Sequence, residues 1–321
     1  MIVNEWSPRF KKQYGGSFPT SYICFDTEFT GNSQDTDLVL EIGHVMVEDN
    51  KVVDNKSFIL NWYKTDIQSS WLDYKLQNLR GIVGAGWRLL PTTVKVEGHD
   101  PISVLNFYHE LFTVCRQKEL PFVAQNGIWA DEKMIRSNFN RYLNRSFDIP
   151  ASGYFDTGLI FKATRVWDPG SSFANYKSIM LPVSGETLRD YFLRVAGVRI
   201  AGLKWNLSSI LSYYGLDKLH SIDPDSMHSA GYDAMCLHYI MQHYRSIIKA
   251  EEIEPQPAVI KPSNGFSAKE LGSYIEEEIK NINAEIKPKR VENFSAPPKI
   301  ERPQRSKPAV SPAHRRKQRP V

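Results

Sequence analysis

The 321-residue sequence predicts an α/β fold: a mixed five-stranded sheet flanked by helices, followed by a disordered C-terminal tail. Three observations predict it. Three β-rich runs follow one another near the start, strand and helix signals alternate after them, and the last forty residues trade large apolar side chains for prolines and basic groups.

The elements follow in order. Tyr22, Ile23, Cys24 and Phe25 form a short apolar run that gives way to charge at Asp26, as a buried central strand does. Leu38–Val47 and Lys51–Leu60 are β-rich runs separated by Glu48, Asp49 and Asn50, a hairpin-turn composition, so these three runs are expected to pair antiparallel. Pro101–Lys118 carries Ile102, Leu105, Tyr108, Leu111, Phe112 and Cys115 at helical spacing behind Asp100-Pro101, which suits an N-cap and first turn. Pro121–Gln125 reads as a strand, Asp131–Leu143 as a helix and Gly153–Asp156 as a short strand. Leu203–Tyr214 and Met227–Ile248 read as further helices, whereas Trp62–Gly98 and Ala163–Ile200 lack a clear pattern and are expected to be insertions near one end of the sheet.

Composition divides the chain. Overall 40 Lys and Arg face 36 Asp and Glu, but Asn281–Val321 alone holds eleven basic and three acidic residues, which leaves a net −4 on the remainder. The expected organisation is an N-terminal arm over residues 1–20, a folded domain over 21–250, a linker over 251–286 and a basic, proline-rich tail over 287–321. In the linker, Leu271, Tyr274, Ile275, Ile279 and Ile282 suggest an amphipathic helix. Cys24, Cys115 and Cys236 form no C-x-x-C pair, which argues against a disulfide framework and a cysteine-based zinc site and fits a reducing compartment. With no apolar run of membrane-spanning length and no signal-peptide pattern, the expected location is intracellular, in cytoplasm or nucleus.

Three segments carry the chemistry. In Phe25-Asp26-Thr27-Glu28-Phe29-Thr30-Gly31, two carboxylates two apart at a strand end point to the same side, where a bound divalent cation would relieve their repulsion. Asn126-Gly127 precedes Asp131, an acid at a helix start after a second strand. His228 stands at a helix start five residues before Asp233, so that the acid can face a metal while the imidazole reaches a water. Each alone has an ordinary structural explanation: a solvated strand end, a helix-dipole acid and a surface histidine.

Taken in order, D-x-E, N-x4-D and H-x4-D resemble the DEDDh 3′–5′ exonucleases of the ribonuclease H-like superfamily, the ribonuclease T and proofreading-exonuclease type. The resemblance covers roughly Ser21–Arg245 and includes Glu41-Ile42-Gly43 and Phe155-Asp156-Thr157. The spacing from Asn126 to Asp131 is similar to that of three-prime repair exonucleases. By contrast, the segments at Asp26–Phe29 and His228–Ala234 are similar to those of poly(A)-specific ribonuclease. Gln125 departs from the histidine often found before the asparagine.

The resemblance implies that Asp26, Glu28, Asp131 and Asp233 hold two Mg²⁺ or Mn²⁺ ions about 4 Å apart. His228 would be the general base. Phe29, Thr30 and Gly31 would meet the terminal nucleotide, and Asn126 would either contact phosphate or brace the site. Asp156 is expected to organise the adjacent helix and Glu41 a neighbouring strand. The expected substrate is single-stranded nucleic acid with a 3′ end, RNA ahead of DNA. The alternatives are a DNA proofreading or repair exonuclease and a non-catalytic nucleic-acid-binding adaptor. The tail, with Arg315, Arg316, Lys317 and Arg319, would bind phosphates, direct nuclear import or recruit a protein partner.

Overall fold

Five strands, Tyr22–Phe29 (β1), Val39–Glu48 (β2), Lys51–Ile59 (β3), Phe122–Ala124 (β4) and Tyr154–Asp156 (β5), form one sheet in the order β3-β2-β1-β4-β5. The structure, a computed structural model, describes residues 19–247 apart from 85, 86, 169 and 182. The expected linker helix, the basic tail and most of the N-terminal arm lie outside the described residues. Strands β1, β2 and β3 pair antiparallel, and β4 and β5 run parallel to β1, so the sheet is mixed as expected. The β2–β3 turn uses Asp49 and Asn50, both left-handed at φ 47° and 68°, which is what a tight hairpin on a right-twisted ladder requires.

Helices cover both faces. They are Ser69–Val83 (α1), Pro91–Glu97 (α2), Pro101–Gln117 (α3), Asp131–Asn138 (α4), Thr157–Trp167 (α5), Leu188–Gly197 (α6), Leu207–Tyr213 (α7) and Ala230–Ile247 (α8), with one-turn helices between some of them. Asp100 caps α3 as its position predicts, its carboxylate accepting the Ser103 N–H at 2.8 Å. A π-turn, Phe139–Leu143, completes the helical stretch expected after Asp131. The two segments that look unpatterned in sequence contain α1, α2, α6 and the end of α5. Helix α5 hides its period because Leu159, Ile160, Phe161, Ala163, Val166 and Trp167 are all buried, leaving no polar stripe.

Strand β1 divides the core. Ile23 and Phe25 join one apolar cluster with α3 residues such as Leu105 and Phe112, the Phe25 and Phe112 rings lying 5.3 Å apart. Tyr22 and Cys24 join the other, with Leu237, Ile240, Met241 and Tyr244 of α8. Strand parity therefore puts Asp26 and Glu28 on the α8 face.

The acid that opens α4 is anchored through its neighbour. Fully buried Glu132 pairs with Arg189 of α6 at 2.8 Å, and burial pushes its carboxyl up despite that partner. Lys162 of α5 donates to the carbonyls of Val195, Ala196 and Val198 at 3.2, 2.8 and 3.0 Å, tying the end of α6 to the body. Arg189→Met strands a buried carboxylate and is expected to cost about 2–3 kcal/mol, the partly exposed guanidinium placing it below a fully buried pair. Urea denaturation checks this: the midpoint should fall, and Glu132→Gln combined with Arg189→Met should recover most of it. An unchanged midpoint would mean the pair contributes nothing.

Candidate metal-binding active site

The site forms at the C-terminal end of β1. Asp26 sits opposite Gly43 of β2, and Glu28 opposite Glu41, so three carboxylates share one face of the antiparallel pair. Thr27, between the two β1 acids, reaches the other way. Its backbone N–H and its hydroxyl both donate to Asp131 Oδ1, at 3.0 and 2.6 Å, and hold the first residue of α4 against the strand.

The β4–α4 loop makes that approach possible. Asn126 is left-handed at φ 57°, an uncommon state that asparagine tolerates better than most residues. Its carbonyl accepts the N–H groups of Trp129 and Ala130 at 3.1 Å, while its side-chain Oδ1 is buried without a hydrogen-bond partner. Gly127 is obligatory for packing, since a Cβ there would lie 2.0 Å from the Tyr154 hydroxyl. Gln125 donates to the Trp205 carbonyl at 2.7 Å and so ties β4 to the chain before α7.

Helix α8 brings the remaining groups. Its first turn lies directly on β2: a Cβ on Gly43 would fall 2.2 Å from the Gly231 nitrogen and 2.3 Å from the Ala230 carbonyl carbon. Asp233 is thereby buried beside the β1 acids. Its Oδ2 accepts the His228 backbone N–H at 3.2 Å, and His228 is held left-handed at φ 65°. Such a conformation in a residue other than glycine is costly and is found where surrounding structure imposes it. The half-exposed His228 imidazole places Nδ1 3.9 Å from Glu28 Oε1.

The electrostatics are those of crowded acids. Burial, then the charges of Asp131, Asp233, Glu28 and Glu41, raises the Asp26 carboxyl well above the usual range. Burial, Asp233, Glu41 and Asp131 do the same to Glu28, opposed by Arg88. Asp233 rises to about 7 through burial, against the His228 N–H and with Glu41 and Asp131 adding to the rise. Asp131 also reaches about 7 through burial, with the two Thr27 hydrogen bonds opposing. Partial burial lowers His228 below 6.5, which favours neutral imidazole at pH 7.

These residues fit divalent metal ions. Glu28, His228 and Asp233 offer ligand atoms within 4.8 Å of one another, and Asp233 Oδ1 is buried with no hydrogen-bond partner. Clustered carboxylate oxygens, one of them orphaned, are a donor set for hard cations such as Mg²⁺ or Mn²⁺.

The expected substrate residues divide. Phe29 and Gly31 are partly exposed beside the acids, whereas Thr30 is buried, its hydroxyl donating to Asp37 Oδ1 at 2.8 Å and accepting the Leu38 N–H at 2.9 Å. That side chain fastens the β1–β2 loop. Asp156 caps α5, accepting the Gly158 and Leu159 N–H groups at 3.0 Å, in keeping with the helix-organising role its position suggests. Glu41 is fully buried, accepts the hydroxyls of Ser57 at 2.5 Å and Ser229 at 3.4 Å, and pairs with Arg88.

Sequence reasoning did not find Arg88 or Trp129. Arg88 precedes α2 in one of the unpatterned segments, 47 residues from its partner Glu41. Trp129 is half exposed in the β4–α4 loop with the Lys133 ammonium 4.9 Å from its ring centroid. A tryptophan two residues before Asp131, in a loop between strand and helix, was the available signal.

No protein-family model and no curated protein matches the chain. Among solved structures, E. coli exonuclease I in complex with a dT13 oligonucleotide aligns with TM-score 0.47 and 16% identity, over 71% of this chain and 41% of that chain. The zinc-bound form of the E. coli exonuclease I complex with single-stranded DNA aligns with TM-score 0.43 and 14% identity, over 71% and 41%. A product-bound exonuclease I gives 0.42 and 15%, over 70% and 43%. This chain spans about two fifths of the length of those proteins. The functional reading rests on the site's own geometry.

Proposed function

We propose that the chain is a metal-dependent 3′–5′ exonuclease that hydrolyses single-stranded nucleic acid, RNA ahead of DNA, to nucleoside 5′-monophosphates. One observation carries the reading: β1, α4 and α8 deliver Asp26, Glu28, Asp131 and Asp233 to one end of the sheet, with His228 beside Glu28. Convergence from separate elements answers the ordinary explanation available for each acid alone.

Asp26, Glu28, Asp131 and Asp233 are the groups that would hold two divalent cations. Bound there, the cations supply charge neutralisation for the phosphodiester and Lewis-acid activation of water. The protein's own part is placement and proton transfer. Thr27 fixes Asp131, and the contact of Gly43 with Gly231 fixes Asp233. The neutral, half-exposed His228 imidazole accepts a proton from the attacking water, and Glu28 stabilises the imidazolium that results. Phe29 and Gly31 border the terminal nucleotide, and Asn126 braces the loop before Asp131. The preference for RNA rests on the similarity of Asp26–Phe29 and His228–Ala234 to poly(A)-specific ribonuclease.

Digestion of matched 5′-labelled single-stranded RNA and DNA, with Mg²⁺, Mn²⁺ or chelator, tests this. A ladder shortening from the 3′ end, faster on RNA and absent with chelator, is expected. A faster DNA ladder would turn the assignment toward DNA repair. No shortening of either polymer by folded protein would sink the nuclease in favour of a non-catalytic adaptor.

A further inference from the structure

The acid cluster has a basic neighbour whose place suggests a job. The Arg88 guanidinium is hydrogen-bonded to Glu41 Oε1, and Glu41 faces Glu28 across the β1–β2 pair. The same oxygen already accepts the hydroxyls of Ser57 and Ser229. Arg88 thus spends one N–H of its five donors on Glu41, and its side chain keeps 39% of its surface in solvent. Because Glu41 lies directly opposite Glu28, Arg88 lies beside the site rather than merely near the same strand.

An arginine used only to neutralise a buried carboxylate would normally bring its fork across both oxygens. Here Glu41 Oε2 has no hydrogen-bond partner among the described residues. The single-point contact leaves the other donors off Glu41 and part of the side chain in solvent, at the rim of a site crowded with negative charge, where a polyanionic strand is repelled unless a cation receives it. A guanidinium matches the oxygens of a phosphodiester bidentately and stays charged at any working pH.

We propose that Arg88 grips a backbone phosphate of the bound strand, close to its 3′ end, while Glu41, Ser57 and Ser229 aim it. This rests on the nuclease reading and adds a strand-binding residue on the β2 side, across the site from Asn126 and α4. The insertion holding α1 and α2 then serves the substrate directly, by carrying a phosphate clamp to the sheet end.

The test is a cycle between protein and ligand charge. Single-stranded RNA oligonucleotides carrying one neutral methylphosphonate at each of the last four linkages are bound to full-length protein in Ca²⁺, with fluorescence anisotropy as readout. In the wild type, neutralising one particular linkage should weaken binding about tenfold. Arg88→Met should bind unmodified RNA equally weakly, show no further loss at that linkage, and lower the salt slope by about 0.7.

Arg88→Met also strands buried Glu41, so Glu41→Gln combined with Arg88→Met is measured beside it; the amide left there keeps its two serine partners. If both variants fold and retain the wild-type profile of losses, Arg88 holds no phosphate and the inference falls alone. If the wild type binds no strand, the nuclease reading falls and takes the inference with it.

Discussion

Asp233→Asn should abolish 3′ shortening, by about 10³-fold or more, while making the metal-free protein more stable than wild type. The two effects share one cause. Asp131 and Asp233, buried, and Asp26 and Glu28, partly buried, lie close enough to raise one another's proton affinity, so without cations the fold carries unrelieved repulsion. For an aspartate whose folded pKa is about 7 against an ordinary value of 3.8, the folded state binds the extra proton. Stability is then full below about pH 4 and is lost as pH rises towards 7. In chelator, wild type should therefore melt at a lower temperature at pH 8 than at pH 5, and Asp233→Asn should flatten that difference. Adding Mg²⁺ or Mn²⁺ should raise the wild-type melting temperature at pH 8 and leave the variant nearly unmoved. A variant no more stable than wild type in chelator would show that the acids do not strain one another. Retained shortening would remove Asp233 from the chemistry.

The second large effect needs no change of charge. Gly43→Ala places a methyl group 2.2 Å from the Gly231 nitrogen and 2.5 Å from the Ala230 carbonyl oxygen, where neither backbone can yield without moving the start of α8. Overpacking of this kind costs about 1–3 kcal/mol. It also shifts Asp233 and His228 away from Glu28, and a misplacement of about 1 Å can cost 10²-fold in rate. Activity should therefore drop far more than stability, with kcat falling at nearly constant strand affinity. Gly81→Ala, where an added Cβ meets nothing within 4 Å inside α1, is the matched control and should leave activity unchanged and stability equal or raised by about 0.5–1 kcal/mol. Full activity in Gly43→Ala would mean the helix start tolerates displacement.

Much of this was open to inspection in the sequence because it depends on local spacing. The parity of Asp26 and Glu28 fixes a shared face whatever covers it, and the runs at Leu38 and Lys51 flank a turn whose Asp49 and Asn50 favour left-handed backbone. The expected sheet and the expected site acids follow from such patterns. Long-range contacts left no such trace. Nothing near Arg88 tells that its partner is Glu41, and nothing near Gly43 tells that its missing side chain makes room for Ala230 and Gly231. Thr30 illustrates the opposite limit: its place after Glu28 suggests a substrate contact, but Asp37, seven residues on, claims its hydroxyl. Helix α1 went unread in a segment that looks unpatterned, only Leu72 and Leu76 of it being fully buried, and α5 offered no polar face to reveal its turn.

Asp26 and Asp233 stand more than two hundred residues apart, and the glycine contact that seats the second requires β2 to be already paired. A growing chain leaving the ribosome therefore has no assembled centre until its closing helix docks. On the nuclease reading proposed above, synthesis is thus separated in time from the capacity to cut, and fragments ending before α8 are expected to show no 3′ shortening.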